Sequence, residues 1–151
     1  MCTAAAATAA VGTVASPLAS AASMPMSAAS AKRVKGSNGK VNVALIGIGH
    51  RGAEVESKFA ATGLMNVVAL CDVDMGAKHT QGVMAKYPSA RRYQDFRKLF
   101  DEMGKNLDAV VVATPDFSHF PIAMRAIREG INVYCEKPLT RTFHENELLI
   151  Q

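Results

Sequence analysis

From Val41 to Ile46 every position except Asn42 is apolar, and the run ends on Gly47-Ile48-Gly49-His50-Arg51-Gly52. A continuous apolar run closed by glycines predicts a buried strand. Beyond Gly52 the period changes. Val55 and Phe59 stand four apart with Glu54, Glu56 and Lys58 between them, which predicts an amphipathic helix. The same alternation then repeats. Val67 to Cys71 reads as a second buried strand, and a helix follows from about Met75 to Lys86, stopped before Pro88. A short third strand fits Ala90 to Tyr93. Phe96, Leu99, Phe100 and Met103 fall at i, i+3, i+4 and i+7, a helix ended by Gly104. Asp108 to Ala113 is the next strand. Ile122, Ala123, Ala126 and Ile127 form a helical stripe with Gly130 as its stop, and Ile131 to Cys135 is a fifth strand. Thr142-Phe143-His144-Glu145 fits a capping box opening a last helix. Apolar strands separated by helices predict an α/β fold, a doubly wound parallel sheet.

Composition changes the picture only at the front. The 151 residues are enough for one core. Of 17 Lys and Arg, four (Lys32, Arg33, Lys35 and Lys40) precede Val41, and the rest balance the 13 Asp and Glu. The net charge of +4 therefore sits in a basic linker and does not point to a nucleic-acid surface. Residues 1–39 are rich in Ala and Ser and carry no charge before Lys32. Two readings stand: a low-complexity tail, or an export signal that lacks its basic start. The segment is too short and weak for a transmembrane helix. Cys2, Cys71 and Cys135 have no metal or disulfide spacing, and the last two read as buried small hydrophobes.

In a parallel sheet of this kind ligands bind beyond the carboxyl ends of the strands. The G-x-G-x-x-G turn after strand one suits a diphosphate: Gly47 for the tight turn, Gly49 for close approach of the phosphates, Gly52 for close helix packing. Asp72 follows, 20 residues past Gly52, where a carboxylate accepts hydrogen bonds from both ribose hydroxyls and repels a 2′-phosphate, favouring NAD over NADP. Asp74 and Lys78 nearby blur this preference, and Asp72 also reads as a helix N-cap. After strand four, Thr114 and Pro115 can wall the cofactor, Asp116 or Ser118 can cap the helix, and His119 reads as a first-turn histidine. His50, His79 and His144 show no ligand spacing and read as surface or loop residues. After strand five comes Cys135-Glu136-Lys137-Pro138. Lys137 reads either as a loop salt bridge or as a cation that orients a nicotinamide or polarises a substrate hydroxyl.

G-x-G-x-x-G, A-T-P-D-x-x-H and E-K-P, in this order and at these distances, resemble the glucose–fructose oxidoreductase/inositol dehydrogenase (Gfo/Idh/MocA) family over about residues 40–151. The resemblance implies an NAD(P)-binding Rossmann domain followed by a second α/β domain that carries most of the substrate pocket and is not in this sequence. It implies cofactor contacts from Gly47, Ile48, Gly49, His50, Arg51, Gly52, Asp72, Thr114, Pro115, His119, Glu136 and Lys137, with Lys137 catalytic and no metal. The implied activity is oxidation or reduction of a sugar or polyol CH–OH by a homo-oligomeric protein. Export to the periplasm by a twin-arginine signal would fit such a protein, whereas the chain as written lacks the arginines and would stay cytoplasmic. An NAD-dependent glycosidase of the same family and a non-catalytic dinucleotide-binding domain stand as alternatives. An S-adenosylmethionine-binding methyltransferase shares the glycine turn but has no use for E-K-P. The chain alone is expected to bind cofactor and turn over nothing.

Overall fold

A computed structural model describes residues 39–151. The expectations for residues 1–39, Gly39 apart, lie outside the described residues, as does Cys2. Five parallel strands, β1 (Val41–Ile46), β2 (Met65–Cys71), β3 (Arg91–Tyr93), β4 (Ala109–Val112) and β5 (Asn132–Cys135), form one sheet in the order β3-β2-β1-β4-β5. The helices are α1 (Arg51–Ala60), α2 (Lys78–Lys86), α3 (Phe96–Met103), α4 (His119–Arg128) and α5 (Phe143–Ile150). This is the doubly wound α/β architecture expected from the chain.

Strand side chains alternate between the two faces, so an apolar run feeds two cores at once. Val43 and Leu45 of β1 join Val55 of α1 and Val83 of α2 on one face. Ala44 and Ile46 join Leu99 and Phe100 of α3 and Ile122 and Ala126 of α4 on the other. The order reverses direction between β1 and β4, which opens a crevice at the carboxyl edge of the sheet.

Four local expectations are corrected. α2 starts at Lys78 rather than near Met75, because Asp72 to Ala77 turns back on itself: the Asp74 N–H donates to Asp72 Oδ1 and the Ala77 N–H to the Asp74 carbonyl. Its N-cap is Ala77, so Asp72 is not a helix cap. Ser118 takes the N-cap position of α4 but makes no side-chain cap hydrogen bond, and Asp116 lies two residues before it. Residues 116–118 form a 3-10 turn, and the Ser118 hydroxyl donates to the Pro115 carbonyl at 2.8 Å. Glu56, one of the charges in the α1 pattern, is fully buried; its carboxylate accepts from Lys86 Nζ at 2.7 Å and from the Tyr87 hydroxyl at 2.6 Å. That pairing ties α1 to the end of α2, and the Tyr87 phenol is pushed up by its burial and by Glu56. The Thr142 capping box of α5 forms as its sequence specifies, although α5 buries no residue.

Candidate functional site

The glycine turn is built by backbone crowding. Gly47 has φ +82°, and a Cβ there would stand 2.7 Å from the Ala113 carbonyl carbon and the Thr114 nitrogen, at the end of β4. A Cβ on Gly52 would fall 1.9 Å from the Gly47 carbonyl oxygen, so α1 starts directly on top of the turn. Gly49 differs, because its missing Cβ faces a side chain, the imidazole of His79. His50, at the N-cap position of α1, adopts φ +38° and stacks on that same imidazole, with ring centroids 4.6 Å apart and planes 22° from parallel. His50 and His79, read as separate surface histidines in the sequence, are thus one pair over the turn.

Asp72 is fixed from two sides. Its Oδ2 accepts the Ile48 N–H at 3.0 Å and its Oδ1 the Asp74 N–H at 3.0 Å, which locks the carboxylate against the glycine turn. Ile48 itself is buried and contributes to the site through its backbone.

Across the crevice the strand-five loop is tied to the same turn. Arg51 donates to Glu136 Oε1 at 3.1 Å and to Glu54 at 2.9 Å. The Tyr134 hydroxyl donates to the same Glu136 oxygen at 2.9 Å. The Arg51 hydrogen bond, with help from Tyr134, holds the Glu136 carboxyl below the usual carboxylate range, and Glu136 in turn pushes the Tyr134 phenol up. Lys137 is exposed and makes no ion pair among the described residues. The loop salt bridge that stood as one of two readings of Lys137 is made instead by its neighbour Glu136, with Arg51.

His119 is not a surface residue. It is buried in the first turn of α4, with Nδ1 2.7 Å from the Pro138 carbonyl and Nε2 2.8 Å from the Thr114 carbonyl. Both neighbours are carbonyl acceptors and a neutral imidazole carries one N–H, so the ring donates to one loop and lies against the other, between the ends of β4 and β5. The Thr114 hydroxyl is buried with no hydrogen-bond partner among the described residues.

These elements surround a crevice of about 700 Å³. Gly47, Gly49, His50, Arg51, Asp72, Thr114 and Pro115 line it, whereas Ile48, Gly52, His119, Glu136 and Lys137 do not. Sequence reasoning missed His79, which also lines it, and the wall given by Gln94 to Arg97 after β3. No local pattern marks His79. Tyr134 was legible only as a strand residue, although its place two before Glu136 puts both on one side of the strand. A group of three or more His, Cys, Asp or Glu able to hold a metal is absent among the described residues. No described helix is long and apolar enough to cross a membrane.

Residues 41–151 match the model of an oxidoreductase family described by its NAD-binding Rossmann fold, Gfo/Idh/MocA. Inositol 2-dehydrogenase 2 of Saccharopolyspora erythraea is 36% identical over 103 residues, 68% of this chain and 29% of that protein. A glycosyl hydrolase family 109 protein of Stenotrophomonas maltophilia is 33% identical over 106 residues, 64% of this chain and 23% of that protein. A Thermus thermophilus dehydrogenase, solved in complex with NAD and UDP-GlcNAcA, superposes with a TM-score of 0.61 at 25% identity, over 73% of this chain and 38% of that one. The chain thus spans well under half the length of each.

Proposed function

Because the chain belongs to the Gfo/Idh/MocA family of oxidoreductases, whose shared part is an NAD-binding Rossmann fold, we propose that residues 40–151 are the dinucleotide-binding domain of an NAD-preferring sugar or polyol oxidoreductase. The observation that carries this is the seat itself. The glycine turn and the Asp72 carboxylate stand together at the carboxyl ends of β1 and β2, joined through the Ile48 N–H. The orphaned Thr114 hydroxyl at the same crevice fits a bound dinucleotide.

In this reading the backbone from Gly47 to Gly52 and the first turn of α1 hold the diphosphate. Asp72 accepts from the adenosine ribose hydroxyls, and its charge opposes a 2′-phosphate, so NAD is preferred to NADP. Thr114 and Pro115 wall the nicotinamide half, while His119 and Glu136 fix the loops on either side. When bound, NAD supplies the hydride acceptor. Lys137 puts a cation beside the carbinol oxygen and stabilises the charge that develops as a base from the second α/β domain takes the hydroxyl proton. The rest of the sugar pocket and the assembly into a homo-oligomer belong, in this proposal, to a protein with a second α/β domain.

The 33% identity to a family 109 glycosyl hydrolase supports a second reading, a glycosidase that oxidises and re-reduces its sugar on held NAD. NADH accumulating with free sugars separates the two. The test of the seat is calorimetric titration with NAD and NADP. Wild type should bind NAD more tightly, and Asp72→Ser should narrow the difference. Tighter binding of NADP by wild type would refute the preference, and no binding of either would refute the assignment.

A further inference from the structure

The position a diphosphate needs above Gly49 is taken by a side chain. The second glycine of such a turn exists so that the phosphates can lie against its backbone. Here an ideal Cβ on Gly49 would lie 2.2 Å from His79 Cδ2 and 2.9 Å from its Nε2, so the imidazole rests on the bare Cα. Behind it the ring of His50 is stacked at 4.6 Å. Two phosphate charges laid beside the pair favour protonated rings, because each N–H⁺ then gains a charge-assisted hydrogen bond.

The neighbouring charges leave this role open. Arg51, from α1, is engaged by Glu54 and Glu136. From the turn after β2, Asp72 gives one oxygen to each of two backbone N–H groups, and Asp74 lines the same crevice. From the loop after β3, Asp95 pairs with Arg97. Lys78 precedes His79 on α2. Both histidine side chains are exposed, so the His79 ring can turn off Gly49 without disturbing the core.

We propose that His50 and His79 form a proton-linked clamp for the diphosphate of the dinucleotide: His79 covers the seat, swings aside on binding, and the pair takes up protons as it grips the phosphates. The proposal rests on the dinucleotide reading above and adds a residue, His79, that no part of that reading uses.

The test is calorimetric titration of the 151-residue chain with NAD between about pH 6 and 8, the range in which histidine titrates, in two buffers of different ionisation enthalpy. Wild type should take up protons on binding and tighten as the pH falls, by up to about tenfold per pH unit for each proton taken up. His79→Gln, and His79→Gln combined with His50→Asn, should bind NAD more weakly than wild type at low pH and keep the wild-type circular dichroism. Both should lose most of the uptake and of the pH slope. Asparagine is chosen at position 50 because it tolerates positive φ. NAD binding that is flat with pH and without proton uptake in wild type would overturn the clamp alone, as would undiminished uptake in the double variant. No NAD binding at any pH would overturn the clamp together with the dinucleotide reading.

Discussion

Alanine at Gly52 and alanine at Gly49 separate a backbone constraint from a side-chain one. At Gly52 the new Cβ would stand 1.9 Å from the Gly47 carbonyl oxygen and 2.8 Å from its carbon, both backbone atoms. The turn cannot retreat. The Gly47 N–H is bonded to the Cys71 carbonyl at 2.8 Å, and Gly47 already abuts Ala113 and Thr114. Alanine gains about 1 kcal/mol over glycine from helix propensity, but forcing a methyl group against backbone that cannot yield costs about 3 kcal/mol, the upper end for overpacking. The clash wins, and the net loss of about 2 kcal/mol lowers Tm by about 8 °C in a domain this size. At Gly49 the methyl meets only the exposed His79 ring, which can rotate, so the expected change is below about 1 kcal/mol. Thermal melts and urea unfolding followed by circular dichroism decide between them. A Gly52→Ala chain as stable as wild type, or a Gly49→Ala chain that loses as much as Gly52→Ala, would refute this account of the turn.

Three further outcomes follow from the site. The Glu136 carboxyl is held below its ordinary value of 4.5 by Arg51 and Tyr134, so its stabilising effect is present above that pH and fades as the pH falls through the lowered value; the stability gap between wild type and Glu136→Gln, measured by urea unfolding, should close under acid conditions and persist at neutral pH. Burial pushes the Cys71 and Cys135 thiols up to about 12 and about 11, so at pH 8 both should react with iodoacetamide far more slowly in the native chain than in urea; the stability they confer holds below the ordinary thiol value of 9.0 and is lost as the pH rises toward those values. Lys137→Ala, with no ion pair to lose among the described residues, should melt within about 0.5 kcal/mol of wild type, yet lower turnover by orders of magnitude in a whole protein that contains this domain; a large loss of stability with normal turnover would return Lys137 to a structural role.

The sequence by itself determined what depends on neighbours a few residues away. The period change at Gly52, the glycine spacing, the apolar strands and the Thr142 capping box are all short-range signals, and each appears in the structure close to where the chain placed it. What the sequence could not decide lies in contacts across the sheet. Arg51 meets Glu136 across 85 positions, a pairing that exists because β4 intervenes between β1 and β5 and brings both strand ends to one edge. Glu56 is buried because Lys86 and Tyr87 come back over α1 from 30 and 31 positions away, and without them its place in the amphipathic pattern reads as solvent. His79 reaches Gly49 because the tight turn after Asp72 delays α2 to Lys78 and sets its first turn over the glycine loop. His119 came to lie between two loops only when the β5 loop was folded beneath it. Periodicity records which face of an element is apolar, whereas a polar side chain's partner is set by how the crossovers stack those elements, and that information is spread over the whole chain.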